Sequence, residues 1–217
     1  RHRVSSGLLL ANHAASVEYL PLGVVGVIGP WNYPVFTPMG SIAYALGAGN
    51  TVVFKPSELT PGVGVWLADS LREVVPDQHL LQTVVGWGET GAALCRADID
   101  KLAFTGSTEV GRLFLEYSAH SNLKEVLLEC GGKSPVIVMA DADDLDQAAT
   151  GICEGIFWNA GQNCSANSRL IVHRSVEEEL LERIAERSGD WVVGDPLVPE
   201  TKVGSMIEEA HMHKVLG

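Results

Sequence analysis

Short apolar runs rich in Val and Ile alternate along this chain with stretches whose apolar residues recur at helical spacing, and that alternation constrains the fold more than any other feature. The runs are Val24–Ile28, Thr51–Phe54, Leu81–Val85, Lys101–Phe104, Val126–Leu128 and Val136–Met139, with a further one at 169–174. The first six are continuous, as expected of parallel strands covered on both faces. Between them Val63, Leu67, Leu71 and Val74 share one helical face, and Val110, Leu113, Phe114 and Tyr117 share a second. Leu145, Ala148, Ala149, Ile152 and Ile156 share a third, and an acidic helix begins near Ser175 with Val176, Leu180, Leu181 and Ile184 inward. The pattern predicts an α/β protein built on a parallel sheet. The best boundary within it is Gly131-Gly132-Lys133-Ser134-Pro135, where two glycines and a proline break the periodicity.

Charge and cysteine usage exclude several functions. With 27 acidic against 15 basic residues and a formal charge of −12, the chain has no Lys/Arg cluster suited to a phosphate backbone, so neither nucleic acid nor an anionic membrane is an expected partner. No apolar run reaches the length of a membrane span, and the start Arg1-His2-Arg3-Val4 lacks the apolar core of a signal peptide, so a cytoplasmic location is expected. Cys95, Cys130, Cys153 and Cys164 are unevenly spaced and include no CxxC pair, which argues against a disulfide framework or a zinc site. His211-x-His213 reads as surface, and no metal is expected. The chain starts without Met and ends inside an apparent helix, as expected of a piece of something larger.

Cys164, in Gly161-Gln162-Asn163-Cys164-Ser165, follows Glu129 of Leu128-Glu129-Cys130-Gly131-Gly132-Lys133-Ser134. A thiol attacks electrophilic carbon as the thiolate and needs a base or an environment that favours that form, whereas an isolated Cys is more often a buried apolar thiol. Three glycine-rich turns compete for a phosphate. Gly86-Trp87-Gly88-Glu89-Thr90-Gly91 matches G-x-G-x-x-G literally but lacks the acidic residue at the end of the next strand, which runs into Phe104-Thr105. Phe104-Thr105-Gly106-Ser107-Thr108 reads as strand, tight turn and helix start, the place where amide groups meet a pyrophosphate. Gly131-Gly132-Lys133-Ser134 imitates a P-loop, but Leu127 stands where its first glycine belongs. Lys55-Pro56-Ser57-Glu58 closes a strand at its carboxyl end, where a carboxylate can accept from ribose hydroxyls.

Taken with Pro30-Trp31-Asn32-Tyr33-Pro34, these segments resemble, in order and separation, the NAD(P)-dependent aldehyde dehydrogenase superfamily. The resemblance implies a parallel Rossmann-like cofactor-binding sheet followed by the first half of a second α/β catalytic domain. It divides the chain into part of an oligomerisation hairpin (1–20), most of an NAD-binding domain (21–133) and the N-terminal half of the catalytic domain (134–217). It implies Cys164 as nucleophile forming a thiohemiacetal and then a thioester, Glu129 as the base for thioester hydrolysis, and Asn32 as an oxyanion-hole amide. Cofactor contacts implied are Ile28, Pro30, Trp31, Lys55, Ser57, Glu58, Gly86, Gly91, Phe104, Thr105, Gly106, Ser107 and Gly131. Glu58 would repel a 2′-phosphate, which favours NAD over NADP.

The chain departs from the family where Cys130 replaces a common Leu and Ser41 a common Lys, and it lacks the Glu-x-Phe-Gly-Pro motif. Asn122–Val126 and Ser165–Leu170 are most similar to members acting on aminoaldehydes and betaine aldehyde, while Pro34–Tyr44 is similar to a semialdehyde-type group. The expected partners are an aldehyde and further copies of the protein in a dimer or tetramer. The competing expectations are a catalytically silent fragment that at most binds NAD, and a classical Rossmann dehydrogenase using Gly86–Gly91, which explains neither Cys164 nor Glu129.

Overall fold

Five of the apolar runs line up side by side in one sheet, because β-branched residues with no polar alternation can satisfy their backbone only by pairing with neighbours under a covered face. The computed structural model describes residues 1–75 and 79–217. Its elements are β1 (His2–Val4), β2 (Ala15–Val17), β3 (Val24–Ile28), α1 (Phe36–Gly47), β4 (Thr51–Lys55), α2 (Pro61–Val74), β5 (Leu81–Thr83) and α3 (Gly88–Arg96). They continue with β6 (Lys101–Gly106), α4 (Thr108–Ala119), β7 (Glu125–Cys130), β8 (Pro135–Val138), α5 (Leu145–Phe157), β9 (Arg169–Val172), α6 (Glu177–Ser188) and α7 (Glu209–Leu216). Two units separate: Arg1–Thr105 with Arg112–Leu128, and Gly106–Gly111 with Glu129–Gly217.

In the first unit β1 and β2 form an antiparallel ribbon, and the main sheet has the order β5-β4-β3-β6-β7. β3 pairs in parallel with both β4 and β6, so the chain winds outward from β3 first one way and then the other. One face carries Val25, Val27, Val52 and Phe54 against Ile42, Ala45, Leu67 and Ala68 of α1 and α2. The other carries Ile28, Leu102 and Phe104 against Leu94 and Cys95 of α3 and Phe114 of α4. Side chains fix the entry to β3. Asn50 Oδ1 accepts from the amides of Leu22 (2.6 Å) and Gly23 (3.0 Å), and Asp100 Oδ2 accepts from Val24 N at 2.7 Å.

The second unit holds a two-stranded parallel sheet in which β8 pairs with β9, Pro135 opposite Arg169 and Val138 opposite Val172. α5 and α6 cover one face of it through Val138, Ala149, Ile152 and Leu180. Asp144 caps α5, its Oδ1 accepting from Asp146 N (2.8 Å) and Gln147 N (3.0 Å). Arg183 of α6 then joins Asp146 at 3.0 Å and Glu179 at 2.7 Å, and Arg187 reaches Asp146 at 3.4 Å. The Arg183 hydrogen bond holds the Asp146 carboxyl below the ordinary carboxylate range, with the nearby Arg183 and Arg187 charges adding to the effect.

Three expectations change. The strands β7 and β8 are not covered on both faces: Leu127 is 52% and Ile137 61% exposed, so their apolar runs reflect β propensity on one open face. β5 ends at Thr83 instead of continuing to Val85, and Val84 N donates instead to Phe54 O at 2.9 Å. Two helices, α1 and α3, lie where no helical spacing is legible. α1 buries Pro38, Ile42 and Ala45 while leaving Phe36 and Tyr44 exposed, so its apolar residues occupy more than one side, and α3 is only nine residues long, with Gly88 and Gly91 among them. Among the described residues no helix is long and apolar enough to cross a membrane.

Candidate active site

In the first unit Ile28, Lys55 and Phe104 of the predicted cofactor residues stand at the carboxyl ends of the central strands, while Gly106, Ser107 and Gly131 belong to the second unit. The register sets Ile28 opposite both Lys55 and Phe104, so these three residues stand in a row across β4, β3 and β6 at the point where the winding reverses. Ligands of open α/β sheets bind in the crevice outside this point. Lys55 is 3% exposed, and its Nζ donates to Pro56 O at 3.0 Å and to Glu58 Oε2 at 3.4 Å. Burial of the Lys55 stem therefore presents the Glu58 carboxylate, about a third exposed at 36%, at the rim. Ser57 is buried and its Oγ accepts from Leu59 N at 3.2 Å, which shapes the turn that carries Glu58.

The G-x-G-x-x-G segment straddles the start of α3. Gly86 has φ +154°, and a Cβ there would overlap the Thr90 side chain, so this turn needs glycine. A Cβ on Gly91 would sit 3.6 Å from Lys55 Cδ and 3.7 Å from Ile28 Cδ1, which places α3 beside the Lys55 stem. The loop Gly29–Asn32 leaves β3 with Gly29 N donating to Lys55 O at 3.0 Å, and Pro30, Trp31 and Asn32 are half-buried there. β6 ends in Phe104-Thr105-Gly106, with Phe104 buried and Thr105 half-buried. Ser107 caps α4, its Oγ accepting from Val110 N at 3.3 Å and its carbonyl from Gly111 N at 2.9 Å.

In the second unit, parallel pairing of β8 with β9 brings the segments that precede them to the same end of the sheet. Gly132 N donates to Cys164 O at 3.2 Å, and Arg169 Nε donates to Lys133 O at 2.7 Å. Gly132 is thereby tied to Cys164 and Lys133 to the first residue of β9. Cys164 is exposed, as is Glu129 one residue before the end of β7. Asn32 belongs to the first unit, whereas Glu129, Gly131 and Cys164 belong to the second.

The loop carrying Cys164 is strained before it and bonded after it. Asn159 (φ 54°) and Ala160 (φ 56°) both adopt the left-handed conformation, followed by Gly161 at φ 73°. Left-handed backbone costs an ordinary residue roughly 1–2 kcal/mol, so this geometry persists because its surroundings impose it. Gln162 N donates to Asn159 O at 3.0 Å, and Gln162 Oε1 accepts from Ile207 N at 3.0 Å. Asn163 Oδ1 accepts from Ser165 N (3.3 Å), Ser165 Oγ (3.2 Å) and the Cys164 thiol (3.8 Å). Sequence reasoning did not find the left-handed turn, the Asn163 hub or the Arg169–Lys133 bond.

A doubly wound parallel sheet with a Lys/Glu turn at its switch point is followed in sequence by an α/β unit that carries an exposed cysteine. The aldehyde dehydrogenase family model matches residues 3–217, and the chain belongs to the aldehyde dehydrogenase family.

Aminoacetaldehyde dehydrogenase of Pseudomonas aeruginosa is 47% identical over 203 residues, which make up 93% of this chain and 41% of that protein. Human aldehyde dehydrogenase 1A1 is 45% identical over 207 residues, 94% of this chain and 41% of its own length. Among solved structures, the aldehyde dehydrogenase KauB of P. aeruginosa superposes with a TM-score of 0.88 at 40% identity, over 90% of this chain and 40% of that one. Indole-3-acetaldehyde dehydrogenase in complex with NAD+ superposes equally, with a TM-score of 0.88 at 41% identity, over the same 90% and 40%. The chain therefore spans about 40% of the length of the relatives it matches.

Proposed function

We propose that this chain supplies the cofactor cleft and the thiol nucleophile of an NAD-dependent oxidation of an aldehyde to a carboxylate. The observation that carries the reading is the bond from Gly132 N to Cys164 O, which ties the turn that follows Glu129 in sequence to an exposed cysteine. Cys164 Sγ attacks the aldehyde carbon to give a thiohemiacetal, and loss of hydride leaves a thioester on the same sulfur. Glu129 takes a proton from the water that hydrolyses it, help commonly worth about 10²–10⁴ in rate. The oxygen on which charge develops takes the Cys164 N–H as a donor, a donor typically worth about 10²–10³, and the family resemblance gives Asn32 the role of an oxyanion-hole amide. When bound, NAD supplies the hydride acceptor.

The residues present suit that cofactor. Lys55, Ser57 and Glu58 at the end of β4 take the adenosine ribose, and the Gly106-Ser107 start of α4 meets the pyrophosphate. Ile28, Pro30, Trp31, Gly86, Gly91, Phe104, Thr105 and Gly131 complete the contacts. The Glu58 carboxylate accepts from ribose hydroxyls and repels a 2′-phosphate, so NAD is preferred over NADP. The aminoacetaldehyde relative supports an aldehyde bearing an amino group as substrate class. Four unpaired thiols suit a reducing, cytoplasmic location, and the exposed Leu8, Leu9, Tyr19 and Leu20 around β1 and β2 support self-association.

A second reading, NAD binding without turnover, is favoured by the open apolar face that Ile137 and Ile171 give the β8–β9 sheet. Calorimetric titration of the 217-residue chain with NAD tests both: saturable heat supports the cofactor cleft, and no heat at millimolar NAD sinks it. Aldehyde-dependent NADH formation, measured on the same preparation, then separates turnover from binding alone.

A further inference from the structure

We propose that the cavity along α5 beside Cys164 takes the far end of the aldehyde, and that Glu154 and Lys202 select an end carrying both a cationic nitrogen and a carboxylate, as an α-amino acid does. The cavity measures about 740 Å³, within the range of about 300–1,000 Å³ usual for small-molecule sites. All of its lining belongs to the second unit.

Helical spacing builds its floor. Gly151, Glu154 and Gly155 of α5, with Trp158 directly after the last turn, recur at intervals of three and four residues. They share the face turned away from Ala149, Ile152 and Cys153, which are buried. The two glycines put no side chain on that face, and a Cβ at Gly151 would meet nothing within 4 Å, so Glu154 and Trp158 stand out from it. A second wall is Trp191 with Lys202. The Trp191 ring packs on Phe157 at 5.7 Å between centroids, and Lys202 N donates to Val192 O at 2.9 Å, which sets Lys202 beside it. Lys202 Nζ stands over the Trp191 ring, 5.7 Å from its centroid. Asn163 completes the lining, and its Oδ1 accepts from the Cys164 thiol at 3.8 Å, so the cavity adjoins the sulfur.

Charge decides the ligand. Among the described residues neither Glu154 nor Lys202 has an ion-pair partner, although both line the same cavity. A ligand with a single charge is drawn to one of these groups and repelled by the other, whereas a ligand with both charges pairs both at once. The exposed Trp158 offers its indole to the aliphatic chain that joins the charged end to the aldehyde.

The proposal rests on Cys164 being the nucleophile of the function proposed above, but its test needs neither turnover nor NAD. Binding of norvaline to the 217-residue chain is measured by calorimetric titration beside butylamine, valerate and butanol, which keep the aliphatic chain and drop one charge or both. Norvaline should bind more tightly than the other three. Glu154→Gln should weaken norvaline and butylamine about threefold to fivefold while sparing valerate, and Lys202→Met should weaken norvaline and valerate while sparing butylamine, as expected of losing one exposed charge pair. Both side chains are exposed, so neither substitution should move the urea midpoint. Three results overturn the site: no saturable heat with norvaline, equal affinity for all four probes, or variants that weaken every probe alike. Failure of the catalytic reading shows separately, as aldehyde-dependent NADH formation that survives Cys164→Ala.

Discussion

The backbone amide of Gly132 donates to the carbonyl of Cys164 at 3.2 Å, which ties two motifs more than thirty residues apart to one edge of a two-stranded sheet. The segments that carry Glu129 and Cys164 therefore run into the same end of the β8–β9 sheet, and both side chains are exposed.

The roles proposed for these two residues predict different kinetic defects. At the full length of the relatives, Cys164→Ala should abolish aldehyde-dependent NADH formation. Glu129→Gln should retain a burst of NADH and slow steady turnover by about 10²–10⁴, because only the hydrolysis step loses its base. Rapid-mixing absorbance checks both, and equal loss of burst and steady rate in Glu129→Gln would remove its assignment as deacylation base.

Cofactor choice should follow the Glu58 carboxylate. Replacing it by Gln removes one negative charge from the rim of β4, a change on the order of 1 kcal/mol for charges about 4 Å apart in water. The ratio of NADP to NAD affinity, measured by calorimetry, should rise about fivefold to tenfold. An unchanged ratio would place the 2′-position elsewhere.

Backbone strain ahead of the nucleophile is testable as stability. Ala160 sits at φ 56° with a Cβ, so Ala160→Gly should stabilise the protein by about 1 kcal/mol, offset in part by the greater freedom of glycine in the unfolded chain. Urea denaturation reads the gain as a higher midpoint at constant slope.

Acid sensitivity should centre on Asp146. Its carboxyl titrates below the usual range because Arg183 and Arg187 bind the charged form, so its contribution is present above the unfolded value of about 3.9 and is lost as pH falls through the lowered folded value. Asp146→Asn should lower the melting temperature slightly at neutral pH, as befits a partly exposed pair, and the difference from wild type should shrink in acid. A difference that stayed constant between neutral pH and strong acid would assign the loss to something other than the ion pair.

Much of the framework is legible in the chain itself. The β3, β4 and β6 runs announce strands because continuous apolar residues leave no face for solvent, the α2 and α4 spacings announce helices that cover them, and the α5 spacing announces the helix that covers β8 and β9. α1 escapes because its apolar residues, from exposed Phe36 to buried Ile42, ring more than one side. The open faces at Leu127, Ile137 and Ile171 escape for a different reason: a run of β-branched residues reads alike whether one face is covered or two. At the candidate site, Lys55, Glu58, Glu129 and Cys164 stand out by type and motif, whereas Asn163 and Ala160 act through hydrogen bonds and φ angles that carry no residue signature.

By itself the sequence determined the α/β class, the strand-and-helix order and the residue types able to do thiol chemistry, since these follow from local periodicity and side-chain reactivity. Only the tertiary structure decided that β8 lies in register beside β9 and that Lys55 is buried under the Glu58 rim. Pairing register and burial depend on which distant segments close against one another, a choice made by the free energy of the whole fold and by no short stretch of chain.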